Sequence, residues 1–177
     1  GLNGRGLCFV WWVLFHFAYH FLKDVRPRLK GKKLKAFQHL TKKERRILVV
    51  GDLHEPFCLD GYLQFCKDTY EKWNCNQVIF IGDIIDNHYS SYHESDPNGM
   101  GGGDELDLAI KRVSKWSKAF PKADVLIGNH DRIIMRKAFS SAIPKEWIKS
   151  YNEVLGTNWN WVERIVYDGV QYVHGEG

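Results

Sequence analysis

The spacing of apolar positions changes several times along the chain, and each change marks an element. Arg46-Ile47-Leu48-Val49-Val50 is a short β-branched run closed by Gly51, which predicts a buried strand. From Leu59 to Trp73 the apolar residues Leu59, Tyr62, Leu63, Phe65, Cys66, Tyr70 and Trp73 recur mostly at three- and four-residue steps, the pattern of an amphipathic helix. Gln77 to Ile81 predicts a second buried strand, followed by Gly82. Asn87 to Gly103 is polar and Gly-rich, and its Asp96-Pro97-Asn98-Gly99 marks a turn inside a long loop. Asp104 is then expected to cap a helix running to about Ala119, with Leu106, Ile110, Val113 and Trp116 on the inner face. Ala123 to Ile127 reads as a third strand. Helices are expected from about Arg132 to Phe139 and from Pro144, at a first-turn position, to about Leu155. Trp161 to Tyr167 and Val170 to Val173, joined by Asp168-Gly169, predict a closing hairpin.

This alternation implies an α/β layered fold, parallel at first and antiparallel at the end. In such sheets the polar groups just past the carboxyl ends of the strands converge on one crevice. Asp52 and His54, then Asp83 and Asp86, then Asn129-His130-Asp131 each follow an apolar strand, and His174 follows the hairpin. Carboxylate oxygen with imidazole nitrogen suits borderline divalent ions such as Mn, Fe, Zn, Co or Ni, whereas an all-oxygen set would suit Mg or Ca. Two such ions ~3.5–4 Å apart can lower the pKa of a shared water and offset charge on attacking and leaving oxygens, as phosphoester hydrolysis requires. His130 would stand close enough to protonate a leaving alkoxide, and Asp131 could orient that imidazole through its other ring nitrogen. His88 and His93 lie in the long loop, where His88 could contact a substrate phosphate. Trp159 and Trp161 could stack on a base, although aromatic residues flanking a strand usually serve packing.

The N-terminal part differs. Leu7 to Leu22 is uncharged and 16 residues long, slightly short of the ~20 that span a bilayer, and its Trp and Tyr content also suits an interfacial helix. His16 and His20 share a helical face but have no third ligand nearby. Lys23 to Arg46 holds eleven Lys or Arg against Asp24 and Glu44, a local +9; with +4 overall, the remainder carries about −5. Such a run could touch nucleic acid, anionic lipid or phosphate substrates, and is more often a solvated linker. Residues 1–40 are therefore read as an apolar then basic extension, and 41–177 as one domain. The 44% apolar and 26% charged composition excludes disorder or coiled coil as a description of the whole chain. Four cysteines without a C-x-x-C pair fit a reducing cytoplasm.

Asp52-x-His54, Gly82-Asp83-x-x-Asp86 and Gly128-Asn129-His130-Asp131 resemble the first three blocks of the calcineurin-like metallophosphoesterases, over about Ile47 to Gly177. The long helical insert and the closing His-Gly-x-Gly resemble phage-associated and bacterial members. The resemblance implies a layered α/β/β/α sandwich in which Asp52 and His54 bind a first metal, Asp83 bridges, Asn129 and His174 bind a second, and His130 is the catalytic imidazole. It implies hydrolysis of a phosphomonoester or phosphodiester by a hydroxide bridging two divalent ions, Mn foremost; Asn129, and His88 by its place in the long loop, are expected to meet the substrate. The family's final Gly-His-x-His block has no counterpart after Gly175, so the domain is expected to be incomplete in the last part of its second sheet. Asp86-Asn87-His88 stands where the phosphoprotein phosphatases carry Asp-Arg-Gly, which argues against protein phosphatase specificity. A nuclease variant, a non-catalytic scaffold of the same fold and a membrane-tethered enzyme are the alternatives.

Overall fold

A computed structural model describes residues 44–175 apart from Ser95. The apolar stretch 7–22, the His16 and His20 pair and most of the basic run lie outside these residues.

Four short strands, β1 (Ile47–Val50), β2 (Gln77–Phe80), β3 (Asp124–Leu126) and β4 (Asn160–Val162), form one sheet in the order β1-β2-β3-β4. Every neighbouring pair is parallel, with Ile47 opposite Gln77, Ile79 opposite Asp124 and Asp124 opposite Asn160. The crossovers carry α1 (Tyr62–Lys72), α2 (Gly102–Ala119), α3 (Ile133–Ser140) and α4 (Tyr151–Leu155). Because successive side chains of a strand face opposite ways, Leu48, Val50, Val78, Phe80 and Val125 share one face. There they pack with Cys66 of α1, Ala109, Val113 and Trp116 of α2, and Leu155 and Trp159 around α4. Trp116 meets Phe80 edge to face at 5.8 Å and Tyr62 at 5.6 Å.

The opposite face bears Gln77, Ile79, Asp124 and Leu126. Asp124 is buried there and accepts hydrogen bonds from Gln77, Asn160 and the hydroxyl of Tyr167, the last at 2.9 Å. Tyr167 belongs to a second, two-stranded antiparallel sheet, β5 (Arg164–Tyr167) with β6 (Val170–Val173). Helices therefore cover one face of the parallel sheet and the small sheet covers the other, the α/β layering expected from the strand and helix order.

Local differences have identifiable causes. The expected strand from Trp161 to Tyr167 breaks at Glu163: β4 joins the parallel sheet, and only Arg164–Tyr167 enters the hairpin. Its Asp168-Gly169 turn has both residues at positive φ, 52° and 81°, as a two-residue hairpin turn requires. Helix α2 begins at Gly102 with Gly101 at its cap, so Asp104 sits in the first turn, where a carboxylate opposes the helix dipole without capping it. The helix expected from Pro144 to Leu155 is two pieces, a 3-10 turn at Lys145–Trp147 and α4. The second piece starts at a reciprocal capping box in which Ser150 and Glu153 each bond the other's backbone N–H.

Candidate metal centre

Each strand of the β1-β2-β3 set ends in a loop of polar residues, and backbone pairing continues past the strand ends. The N–H groups of Leu53 and His54 both donate to the carbonyl of Asp83, Glu55 N–H donates to Ile84, and Asp86 N–H donates back to Glu55. The first two ligand loops are thus locked side by side. His54 and Asp83 both have left-handed backbone, φ 47° and 50°, a conformation that non-glycine residues adopt at a cost and that clusters at functional sites.

Two glycines allow the third loop and the hairpin to close in. A Cβ on Gly128 would lie 2.1 Å from Asp83 Oδ1 and 2.4 Å from Asp83 N; one on Gly82 would lie 2.4 Å from His174 Nδ1 and 3.0 Å from Gly128 Cα. Strand-end glycine is here a demand of close approach.

The side chains then meet. Asp52, His54 and Asp83 offer ligand atoms within 4.8 Å of one another, as do His54, Asp86 and His130. Asp83, almost fully buried, accepts the backbone N–H of His130 on Oδ1 at 2.8 Å. Its Oδ2 lies 3.7 Å from His54 Nε2 and 3.3 Å from His174 Nε2. Asn129 Oδ1 lies 2.9 Å from the same His174 nitrogen. All five residues read from the sequence as ligands, Asp52, His54, Asp83, Asn129 and His174, therefore come together.

The histidine geometry tests whether these donors suit a cation. His54 Nδ1 lies 2.6 Å from Asp86 Oδ1, His130 Nδ1 lies 2.5 Å from the carbonyl of Asp86, and His174 Nδ1 lies 2.7 Å from the carbonyl of Ile81. Each partner is an acceptor, so each Nδ1 holds the proton and the neutral ring presents its lone pair at Nε2. Two of those lone pairs face the Asp83 carboxylate, an arrangement of acceptors against acceptors that only a cation or added protons satisfies. Outer partners fixing the tautomer of a ligand histidine are what a metal site needs. The residues fit a divalent ion.

His54 is held above its ordinary range, its hydrogen bond to the Asp86 carboxylate outweighing burial. Burial alone would raise the Asp86 carboxyl, but the bond and charge of His54, with His130 and His88, hold it lower than usual. Asp86 is the site residue to which sequence reasoning gave no role. The G-D-x-x-D spacing was its signal.

Asp131 is a correction. It does not orient His130: fully buried, it accepts backbone N–H groups of Asp83 and Gly128 at 2.9 Å and of Ile84 at 3.0 Å. It pins the second ligand loop to the third, and burial pushes its carboxyl up to about 6 against those donors. His130 takes its orientation from the Asp86 carbonyl instead. Two buried glutamates were also missed. Glu55 accepts from Arg112 Nε at 2.5 Å and Trp116 Nε1 at 2.9 Å, tying the first ligand loop to α2. Glu105 accepts the N–H groups of His88 and Tyr89 at 2.7 and 2.9 Å, tying α2 to the long loop. His88 is half exposed, with Nδ1 4.0 Å from Asp86 Oδ2, and His93 is exposed. Trp159 is buried in the helix-side core, where its indole N–H donates to the carbonyl of Phe120, so it packs and does not stack on a ligand.

A crevice of Asp, His and Asn at the carboxyl ends of parallel strands defines an α/β protein with a candidate metal-binding site. The sequence model of the calcineurin-like phosphoesterases matches residues 45–176, and the chain belongs to that family. Neither the comparison with curated proteins nor that with solved structures gave a match. Among the described residues, no helix is long and apolar enough to cross a membrane.

Proposed function

We propose that this chain hydrolyses a phosphoester using two divalent metal ions, with Mn the first choice. Membership of a phosphoesterase family supplies the reaction class. The observation that carries the reading is the set of three imidazoles, each with Nδ1 occupied, two of them turning Nε2 onto the shared Asp83 carboxylate. Mixed N and O donors favour a borderline transition-metal ion.

Asp52 and His54 would hold one ion and Asn129 and His174 the other, with Asp83 between them. The ions, when bound, supply an activated water and charge for the phosphoryl oxygens. The remaining work falls to the chain. His130, with Nδ1–H donating to the Asp86 carbonyl, would in its imidazolium form pass the Nε2 proton to the leaving oxygen and return to the neutral ring. Asn129 and His88 orient the phosphate. The Asp131 carboxylate holds the Asp83 and Gly128 loops at fixed separation.

The test is hydrolysis of p-nitrophenyl phosphate and bis-p-nitrophenyl phosphate with added Mn, which also separates monoesterase from diesterase. His130→Ala is expected to lower kcat by roughly 10²–10⁴, the usual range for a lost general acid, while the protein still takes up two metal ions. Unchanged turnover with both ions bound would remove His130 from the chemistry.

A further inference from the structure

Beside the metal centre lies a groove of about 860 Å³ whose lining includes Asn129 and His174 themselves. It is larger than a phosphoryl group needs and within the ~300–1,000 Å³ of ordinary ligand sites. Its charged lining is Arg132, Arg136 and Arg164 against Glu163 alone. Glu163 is paired with Arg132. Among the described residues no acid pairs with Arg136, whose guanidinium lies 5.0 Å from the Tyr92 ring, or with Arg164. The groove therefore carries a net charge of about +2 next to the residues that would hold the scissile phosphate. Guanidinium groups match phosphate oxygens two at a time.

We infer that this groove is a subsite for further phosphates of the substrate, so that the reaction proposed above, on which this inference rests, acts on a phosphoester within an oligonucleotide strand. The shared chemistry is a scissile phosphate flanked by at least one other. No Phe, Tyr or Trp is among the described residues that line the groove: Ile127, Gln171, Val173 and Gly175 complete its walls. Bases meet no large aromatic face there, so the contacts are expected to fall mainly on the backbone and binding to depend little on sequence. The groove's positive charge is supplied by Arg132, Arg136 and Arg164, a reason to expect a nucleic-acid substrate that is separate in sequence from the basic run before Arg46.

The test uses the full chain and the double variant Arg136→Gln/Arg164→Gln. Binding of a fluorescein-labelled mixed-sequence single-stranded 10-mer is followed by anisotropy in EDTA, without metal or turnover. Affinity is expected to fall about tenfold or more, and the slope of log K against log salt to shrink by about 1.4, since each single-strand phosphate contact contributes ~0.7. With Mn, the ratio of kcat/KM for the oligonucleotide to that for bis-p-nitrophenyl phosphate is expected to fall by a similar factor. Gln171→Glu, which adds a negative charge in the same wall, should weaken binding in the same direction and serves if the double variant fails to fold. Oligonucleotide binding and salt slope unchanged in both variants would overturn the subsite. A loss confined to hydrolysis of a nucleoside triphosphate would overturn the strand and give the groove to a nucleotide's own phosphates. A wild-type chain that hydrolyses neither ester yet loses oligonucleotide binding in the variants would sink the phosphoesterase reading and leave the groove standing.

Discussion

The loops after β1, β2 and β3 and the β5-β6 hairpin both deliver residues to one crevice, but they are held by different physics. The loops stand on strands whose side chains are almost fully buried, Val50, Phe80, Val125 and Leu126 at 1% exposure or less. They are cross-tied by backbone bonds, by Asp131 beneath them and by Glu55 to α2. The hairpin exposes Val166, Val170 and Val173 at 43–56%. It is held to the parallel sheet through a few polar contacts, notably Tyr167 to Asp124 and His174 to the carbonyl of Ile81. Local stability follows buried apolar contact. Asp52, His54 and Asp83 are thus placed by the core, whereas His174 is placed by a marginal element. The first metal position should therefore form with the fold, and the second should be the more labile.

The largest expected effect comes from attacking the rigid side. In Gly128→Ala the new methyl would fall on the backbone nitrogen and carboxylate of Asp83, and backbone cannot swing aside as a flexible side chain would. A cost of about 3 kcal/mol is expected, at the upper end of overpacking penalties, together with loss of metal uptake, read by urea unfolding and isothermal titration. A variant with wild-type midpoint and metal content would show that the loops have more slack than their backbone bonds imply.

His174→Ala probes the other side and should separate stability from binding. The substitution removes the Nδ1 hydrogen bond to the Ile81 carbonyl and the close contact of Nε2 with Asn129. Both lie on an element that contributes little to the core, so about 1 kcal/mol is expected. Metal stoichiometry should nevertheless fall from two ions to one. Retention of two ions at wild-type affinity would remove His174 from the ligand set and weaken the contrast between the two regions.

What the sequence revealed follows the same division. Asp52, His54, Asp83 and Asn129 were legible because each follows a short apolar run, and the fold then has no choice about which end of the sheet they occupy. Asp131 was misread because adjacency to His130 says nothing about direction. Its carboxylate turns back beneath the loop to three N–H groups, that of Gly128 in its own loop and those of Asp83 and Ile84 from 48 and 47 residues away. Glu55 and Glu105 look like solvated acids until Arg112, Trp116 and the His88 and Tyr89 backbone are brought to them from 16 to 61 residues away. The break at Glu163 was hidden because Trp161 to Tyr167 is β-forming throughout, and a strand that changes sheets keeps its propensity. The boundary at Ser150 was different. Ser150-x-x-Glu153 is a capping signature, and reading through it from Pro144 gave weight to the proline over the box.

The smallest effect concerns the proton that competes with metal on the rigid side. Because Asp86 raises His54 above its ordinary value of 6.5, Nε2 of the metal-free protein begins to gain a proton above that pH. In that form the His54 and Asp86 pair stabilises the fold; this contribution is complete below pH 6.5 and is lost as pH rises through the raised value. On the acid side the lowered Asp86 makes its own contribution above its ordinary value of 3.8, lost as pH falls through its still lower folded value. Metal requires the opposite state, a deprotonated Nε2, so metal affinity should decline as pH is lowered from 8 to 6 while the metal-free fold gains from this pair. Asp86→Asn removes the negative charge that strengthens this hydrogen bond and raises His54, and should move the decline in metal affinity to lower pH, as titration of metal at several pH values would record. An unchanged pH profile in Asp86→Asn would mean that Asp86 does not set the proton affinity of His54, and that its carboxylate serves the site in another way.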